Sequence, residues 1–364
     1  MATSTGLVLG IESSCDETAA AVVQGARVRS SVIASQHDLH EQYRGVVPEI
    51  ASRAHAQRIL PVIDRALEQA GCRTSDLRAV AVGHRPGLIG SLLVGVSAAK
   101  ALAWSLGVPI IAVDHVHAHL YAGCLSGGEG EGARALDPAG ALPALGLVIS
   151  GGHTSVYLLE DFARPVRLGA TIDDAIGEAY DKLASLLGLG FPGGPLVDKL
   201  ARTGNDRAID FPLSRLSPTS LDFSFSGLKT AALYAWQGVP HTRGNHPPPP
   251  HTPPAVADLC ASFQRACAQV LVLKLQRALA HVQGARPAVR PCALLVGGGV
   301  SANSRIRAEL ADFAAENDLA LALPALDLCV DNAAMIAGLG AHLLERRGWT
   351  SDPLHFPAVP TTAL

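Results

Sequence analysis

His115-Val116-His117-Ala118-His119 is the densest run of metal-binding side chains in the chain. On a helix, His115 and His119 stand four apart on one face. Both imidazoles then reach one divalent cation and leave positions open for a carboxylate and a substrate, while His117 points elsewhere. The spacing alone does not decide the matter, because histidines also serve as ordinary polar surface. The HExxH motif of zinc proteases, which needs a glutamate beside the first histidine, is absent, because that position holds Val116.

Three glycine-rich turns form a second signal: Ser150-Gly151-Gly152-His153-Thr154, Pro192-Gly193-Gly194-Pro195, and Gly297-Gly298-Gly299-Val300-Ser301-Ala302-Asn303. Without a Cβ, glycine lets backbone N–H groups approach a phosphate, and the third turn opens the helical stretch SRIRAELADFAAEN, whose N-terminus favours an anion. Each is equally readable as a structural turn. Neither GxxxxGK[ST] nor a post-strand GxGxxG occurs, so the P-loop and Rossmann readings fall away.

Carboxylates gather in the same regions: Asp16 and Glu17 in the first turn, Asp173, Asp174, Glu178 and Asp181 in TIDDAIGEAYDK, then Asp198, and Asp331 in CVDNAAM. On a helix Asp174, Glu178 and Asp181 share a face, which repels itself unless a cation, an arginine or a ribose hydroxyl is near; the plainer reading is a solvated acidic face. In FSFSGLKT, Lys229 follows a Ser/Gly turn and either meets a phosphate or caps a helix.

The elements that must position these groups follow from periodicity. LVLGIE, TAAAVV and VRSSVIAS read as a three-strand meander, followed by a helix from Pro48 to a stop at Gly71, a strand at 77–83, a helix at about 88–106 and a strand at 109–113. Strands alternating with helices after a meander make a layered α/β domain. After a Gly/Glu/Ala-rich hinge at 126–141, ALGLVISGGHTSVYLLED again sets two strands around a glycine turn, the echo expected of a duplicated fold. The stretch 237–254 is rich in proline and histidine and reads as a solvated insertion, with a weak metal reading for His241, His246 and His251. An amphipathic helix follows, its stripe Val256, Leu259, Phe263, Ala266, Val270, Leu273 read as core.

With 364 residues, 48% hydrophobic and 17% charged, the chain has two domains' worth of foldable sequence and is too apolar for a disordered one. A net charge of −3 excludes nucleic-acid binding through bulk charge, so any nucleic acid needs a local patch or a partner. Seven scattered cysteines without a CxxC pair argue against a disulfide framework or a cysteine zinc module. The opening MATSTG lacks signal-peptide character and the uninterrupted apolar runs are short, so a cytoplasmic protein with no membrane association is expected.

GIESSCDETAAAVV, GVVPEIASRAH, HVHAH, LVISGGHT, TIDDAIGEAYDKLASLLGLGFPGGP, DFSFSGLKT, GGGVSAN and CVDNAAMIA stand in the order seen in the bacterial TsaD family. From about residue 6 to 345 the chain resembles these tRNA N6-adenosine threonylcarbamoyltransferases, formerly named O-sialoglycoprotein endopeptidases. The resemblance implies an α/β ASKHA (actin-like ATPase) fold of two duplicated lobes with the active site in the cleft between them. The first lobe is 1–125, joined by a C-terminal helix at about 325–346; the second is 126–324, carrying the insertion 237–254; 347–364 is a tail.

It also implies the site. The family's metal ligands fall on His115, His119 and Asp331, its substrate contacts on Val148, Ile149, Ser150, Gly151, Gly152, Asp181, Gly194, Asp198 and Asn303, and its acidic turn on Asp16 and Glu17, candidate catalytic groups. The implied metal is iron, although imidazole and carboxylate also suit zinc. The implied reaction moves threonylcarbamoyl from its adenylate to N6 of the adenosine 3′ to the anticodon in tRNAs reading ANN codons and releases AMP; an adenylate or ATP occupies the cleft, and TsaB and TsaE homologues are partners. Two departures stand out: Arg85 in Gly83-His84-Arg85-Pro86-Gly87 puts a long cation at a glycine position, and His117 replaces a frequent glutamate. A metallopeptidase, or an ASKHA kinase or inactive homologue, is the competing class.

Overall fold

The computed structural model describes residues 6–40, 43, 45–127, 135–213, 216–239, 252–347, 352 and 355–361. The three histidines of the insertion, His241, His246 and His251, lie outside the described residues.

The chain forms β1 (Leu7–Glu12), β2 (Glu17–Gln24), β3 (Arg27–Ser35), α1 (His37–His40), α2 (Pro48–Ala70), β4 (Leu77–Arg85), α3 (Ile89–Leu106), β5 (Ile110–Asp114) and α4 (His115–Ala122). The second half adds β6 (Ala144–Ile149), β7 (Thr154–Leu159), β8 (Val166–Ala170), α5 (Ile176–Leu186), α6 (Gly193–Ala201), α7 (Ser226–Gln237), α8 (Val256–Ala285), β9 (Ala293–Gly297), α9 (Ser304–Glu316), β10 (Ala320–Ala322) and α10 (Ala333–Arg347).

Two five-stranded sheets result, ordered β3-β2-β1-β4-β5 and β8-β7-β6-β9-β10. In both, the first three strands pair antiparallel and the remaining pairs are parallel. The echo of strand, polar turn and strand is thus a duplicated topology. β1, β4, β6 and β9 are covered on both faces, which is why they read as near-continuous apolar runs.

Three cores separate the layers. α2 and α3 cover the outer face of the first sheet through Ile59, Val62, Ile63, Val96 and Ala99. Helices α5 to α9 cover the outer face of the second through Tyr180, Phe223, Phe263 and Phe313. Between the sheets lie α4 and α10, packed around Leu120, Met335, Ile336 and Leu339. α10 packs on β1, β2 and β4, and α4 on β6 and β9. The chain's tail returns to the first sheet: Phe356 joins the α2/α3 core, Lys100 Nζ sits 4.5 Å from its ring centroid and donates to its carbonyl at 2.9 Å.

By length and hydropathy α3 and α8 both reach the measure of a membrane span. Neither is an uninterrupted apolar run in sequence, since Lys100 breaks α3 and Gln264 and Lys274 break α8. α8 is mostly buried against the second sheet's helices, whereas α3 packs one face on the first sheet and α2 and is about one-third buried.

Candidate functional site

The two central helices start side by side, and the densest chemistry lies there. Asp114 ends β5 and caps α4: its Oδ1 accepts from the backbone N–H of Val116 at 3.0 Å and of His117 at 3.2 Å. With the first turn fixed, His115 and His119 stack along one face, their ring centroids 4.7 Å apart. Ahead of α10, Asn332 Oδ1 accepts from Met335 N–H at 2.9 Å, and its amide donates to the carbonyls of Leu328 (3.0 Å) and Val330 (2.8 Å). Asp331 is thereby held with Oδ1 3.1 Å from His119 Nε2 and 3.4 Å from His115 Nε2. Two atoms each about 2.1 Å from a single ion stand about 3.0–3.4 Å apart, so both contacts suit a shared ion. The three residues offer ligand atoms that all lie within 4.8 Å of one another.

His115 has its second ring nitrogen occupied. Glu12, the fully buried last residue of β1, places Oε2 3.0 Å from His115 Nδ1, while its Oε1 accepts from Ser14 N–H at 2.5 Å. Gly83 on neighbouring β4 leaves room for that carboxylate, since a Cβ there would lie 2.5 Å from Glu12 Oε2. A carboxylate on Nδ1–H leaves Nε2 as the free donor atom, facing Asp331; this is how metal-binding imidazoles are oriented.

The cluster is electrostatically polarised. Burial opposes charge on His115, but Asp331 and then Glu12 hold its pKa well above the usual imidazole value. Burial likewise opposes charge on Asp331, yet the adjacent histidines keep it well below the ordinary carboxylate range. Burial lowers His119 despite its contact with Asp331. His153, in the first glycine turn, falls to about 4 through burial and then through His115 and His119. Glu17 is pushed up to about 9 by burial, then by Asp331 and Asp16. Such crowding of acids calls for a cation. Burial, then Asp16, pushes the Cys15 thiol up, so no thiolate nucleophile stands here.

A cavity of about 580 Å³ adjoins this centre, lined by Gly151, Tyr180, Asp181, Gly194, Asp198, Gly299, Asn303 and Val330, the last being the residue before Asp331. The sequence-predicted substrate residues therefore divide. Gly151, Asp181, Gly194, Asp198 and Asn303 line the cavity. Ser150 shapes the turn, its Oγ accepting from His153 N–H at 3.1 Å; Gly152 lies beside it, exposed. Val148 and Ile149 end β6 with fully buried side chains, directly before that turn. Gly298 adopts φ +97°, a conformation that favours glycine, as the chain turns from β9 toward the cavity.

The expected acidic face does not form. Asp174 precedes α5, and it and Glu178 share Lys182 Nζ at 2.5 and 2.7 Å, while Asp181 Oδ1 turns to accept from Gly193 N–H at 2.7 Å. Asp173 instead receives Ser224 Oγ (2.5 Å), Ser226 Oγ (2.7 Å) and Phe225 N–H (2.9 Å), fixing the start of α7. Arg85 lies outside the left-handed region and its Nε meets Asp114 Oδ2 at 3.0 Å. His117 turns its ring to Tyr157, centroids 5.9 Å apart. Sequence reasoning missed Glu12, Asp114, His153 and Gln264. An acid closing an apolar strand, and an amide inside an apolar helix, were the available signals for Glu12 and Gln264.

Comparison with known proteins adds three findings. The family model for TsaD, tRNA N6-adenosine threonylcarbamoyltransferase, matches residues 27–338. The chain is 47% identical to the tRNA N6-adenosine threonylcarbamoyltransferase of Moorella thermoacetica, over 100% of this chain and 98% of the relative, and 50% identical to that of Rhodopirellula baltica over 90% of each. Among solved structures, T. kodakarensis HypF superposes with a TM-score of 0.57 at 16% identity, over 94% of this chain and 48% of HypF, a likeness of fold alone.

Proposed function

The chain belongs to the TsaD family of tRNA N6-adenosine threonylcarbamoyltransferases, and we propose that the 580 Å³ cavity holds the adenylate donor with its acyl group at the His115/His119/Asp331 centre. The protein is thus an acyltransferase acting on tRNA, of two-sheet ASKHA architecture. The observation that carries the assignment of the site is the continuity of cavity and cluster through Val330 and Asp331.

In this reading the donor is threonylcarbamoyl-AMP and the acceptor is N6 of the adenosine 3′ to the anticodon in tRNAs reading ANN codons. The new C–N bond forms as the carbonyl carbon's bond to the phosphate oxygen breaks, and AMP leaves. His115, His119 and Asp331 would hold one divalent ion, iron in the family and compatible with zinc by its ligands, which would supply Lewis-acid polarisation of acyl or phosphate oxygen. The glycine turns at 150–152 and 297–299 offer backbone N–H groups to the phosphate, and Asp181, Gly194, Asp198 and Asn303 fix the nucleoside. Of the acids in the first turn, Asp16 rather than Glu17 receives the proton released from N6, because Glu17, pushed up to about 9 by burial and then by Asp331, already carries one. Catalysis rests on positioning and charge stabilisation, since among the described residues no activated nucleophile lines the site.

The lobes divide as 1–125 with 325–346, and 126–324, with 347–364 as a tail. A net charge of −3 leaves tRNA capture to a local patch and to partners, for which TsaB and TsaE homologues are the family's candidates. The protein acts in the cytoplasm without a membrane partner.

The test is nucleoside mass spectrometry of unmodified tRNA incubated with this chain, its partners, threonine, bicarbonate and ATP. Threonylcarbamoyladenosine is expected with the wild type and absent with His115→Ala or Asp331→Ala, both folded and both depleted of metal by elemental analysis. Full metal occupancy in either variant refutes the ligand set.

A further inference from the structure

Helix α8 is largely an apolar core element, yet it carries Gln264 on its buried side, 3% exposed. The amide is used at both ends. Nε2 donates to Asp198 Oδ1 at 3.0 Å, and Oε1 accepts from Asn303 Nδ2 at 3.1 Å. The direction of this chain is fixed from outside. Asn303 Oδ1 is already committed to Ile306 N–H at 3.1 Å, as the N-cap of α9, so Asn303 can offer only its NH₂ to Gln264. Gln264 must then present its carbonyl to Asn303 and its NH₂ to the acid. Ser304 Oγ also donates to Asp198 Oδ1, at 2.7 Å, and Arg202 Nη2 meets Asp198 Oδ2 at 3.2 Å.

Gln264 itself is not among the residues lining the cavity, whereas Asp198 and Asn303 both are. We propose that Gln264 is a positioning residue for the nucleoside half of the donor: it ties Asp198 on α6 to Asn303 at the start of α9, fixing which carboxylate oxygen and which amide hydrogen remain for the ligand. The inference rests on the nucleotide reading of the cavity given above. It adds that the binding polarity of two ligand contacts is set by a third side chain, from a different helix, that the ligand does not touch.

The experiment uses the full-length protein with AMP as the probe. Gln264→Met keeps length and bulk but removes both bonds; Gln264→Glu keeps an acceptor for Asn303 and sets a carboxylate against Asp198. Misdirecting Asp198 and Asn303 costs the ligand about one good hydrogen bond, which corresponds to about tenfold in affinity. Calorimetric titration is expected to show AMP bound about tenfold more weakly by Gln264→Met and more weakly still by Gln264→Glu, with thermal unfolding confirming that each is folded. In the transfer assay KM for the adenylate rises about tenfold while kcat stays within about twofold, because the contact is the same in ground and transition states. AMP affinity within twofold of wild type in both variants, or a fall in kcat at unchanged KM, overturns the inference. Asp198→Ala and Asn303→Ala separate the two levels. If they lose AMP binding while the Gln264 variants keep it, only the positioning role fails; if they also keep it, the nucleotide reading of the cavity fails.

Discussion

Glu12→Gln isolates the group behind His115, the proposed metal ligand. The wild-type carboxylate is fully buried and accepts two hydrogen bonds, from Ser14 N–H at 2.5 Å and from the His115 Nδ1 side at 3.0 Å. Glutamine has the same shape but only one acceptor, so its NH₂ must face either Ser14 N–H or His115 Nδ1–H, donor against donor. A hydrogen bond to a charged group is worth about 1.5–3 kcal/mol. Removing an outer-shell partner of a metal-bound histidine accordingly weakens metal binding about 10- to 100-fold. The metal-free protein should lose much less, because Glu12 shares its surroundings with Asp331 and Glu17, and removing one of three crowded acids offsets part of the lost bond. Competition between protein and a chelator of known affinity, with zinc as the probe ion, gives the dissociation constant; urea unfolding of the metal-free protein gives the stability. Zinc affinity within twofold of wild type, in a protein whose His115→Ala variant has lost zinc, would refute the argument that Glu12 sets the orientation and charge of His115.

Two further expectations concern the frame around the site. Asp114→Ala removes the cap of α4 and strands Arg85, and should cost about 1–2 kcal/mol in urea unfolding, whereas Arg85→Ala removes only a part-exposed partner and should cost less than about 1 kcal/mol; equal losses would mean that Arg85, not the cap, carries the strain. His342 lies against Phe162 and Tyr121, ring centroids 5.1 and 5.4 Å away, and burial lowers its pKa to about 4. A histidine depressed in the fold favours the neutral form, so its contribution is complete above about pH 6.5 and is lost as the pH falls toward 4. Discounted for partial exposure, this is about 1–2 kcal/mol; His342→Phe should lose less stability than wild type between neutral pH and about pH 4.5 by that amount, and an unchanged pH slope refutes it.

The part of the fold legible in the sequence is the part set by local repetition. Helix α2 shows proline at its first turn and Gly71 in the left-handed conformation at its end, both visible as residue types. The strands buried on both faces announce themselves as unbroken apolar runs, and the strand, polar turn and strand repeated at β6 and β7 mark the duplicated topology before any pairing is known. His115 and His119 are legible for the same reason, since four residues on a helix is a local spacing. The helix at 176–186 shows the limit of such reasoning. Asp174, Glu178 and Asp181 fit one helical face only if the helix begins before Asp174, and the chain instead leaves Asp174 outside, where Lys182 neutralises it together with Glu178.

What sequence could not supply is the partner of each charged or amide group, because those partners come from strands and helices far apart in the chain. Glu12 reaches His115 only once β1 lies beside β4 with Gly83 next to it, a contact across 103 positions. Gln264 meets Asp198 and Asn303 across 66 and 39 positions. Arg85 meets Asp114 because β4 and β5 end together. The common cause is that the candidate site is built from the ends of elements: β1, β5, β6 and β9 all stop beside the histidine cluster or the adjoining cavity, so the backbone groups and side chains at their termini converge without sharing any local pattern. A motif reading recovers the residues that stand at those termini. It does not recover the buried acid or amide that fixes their orientation, since such a residue looks, in sequence, like one polar interruption in an apolar element.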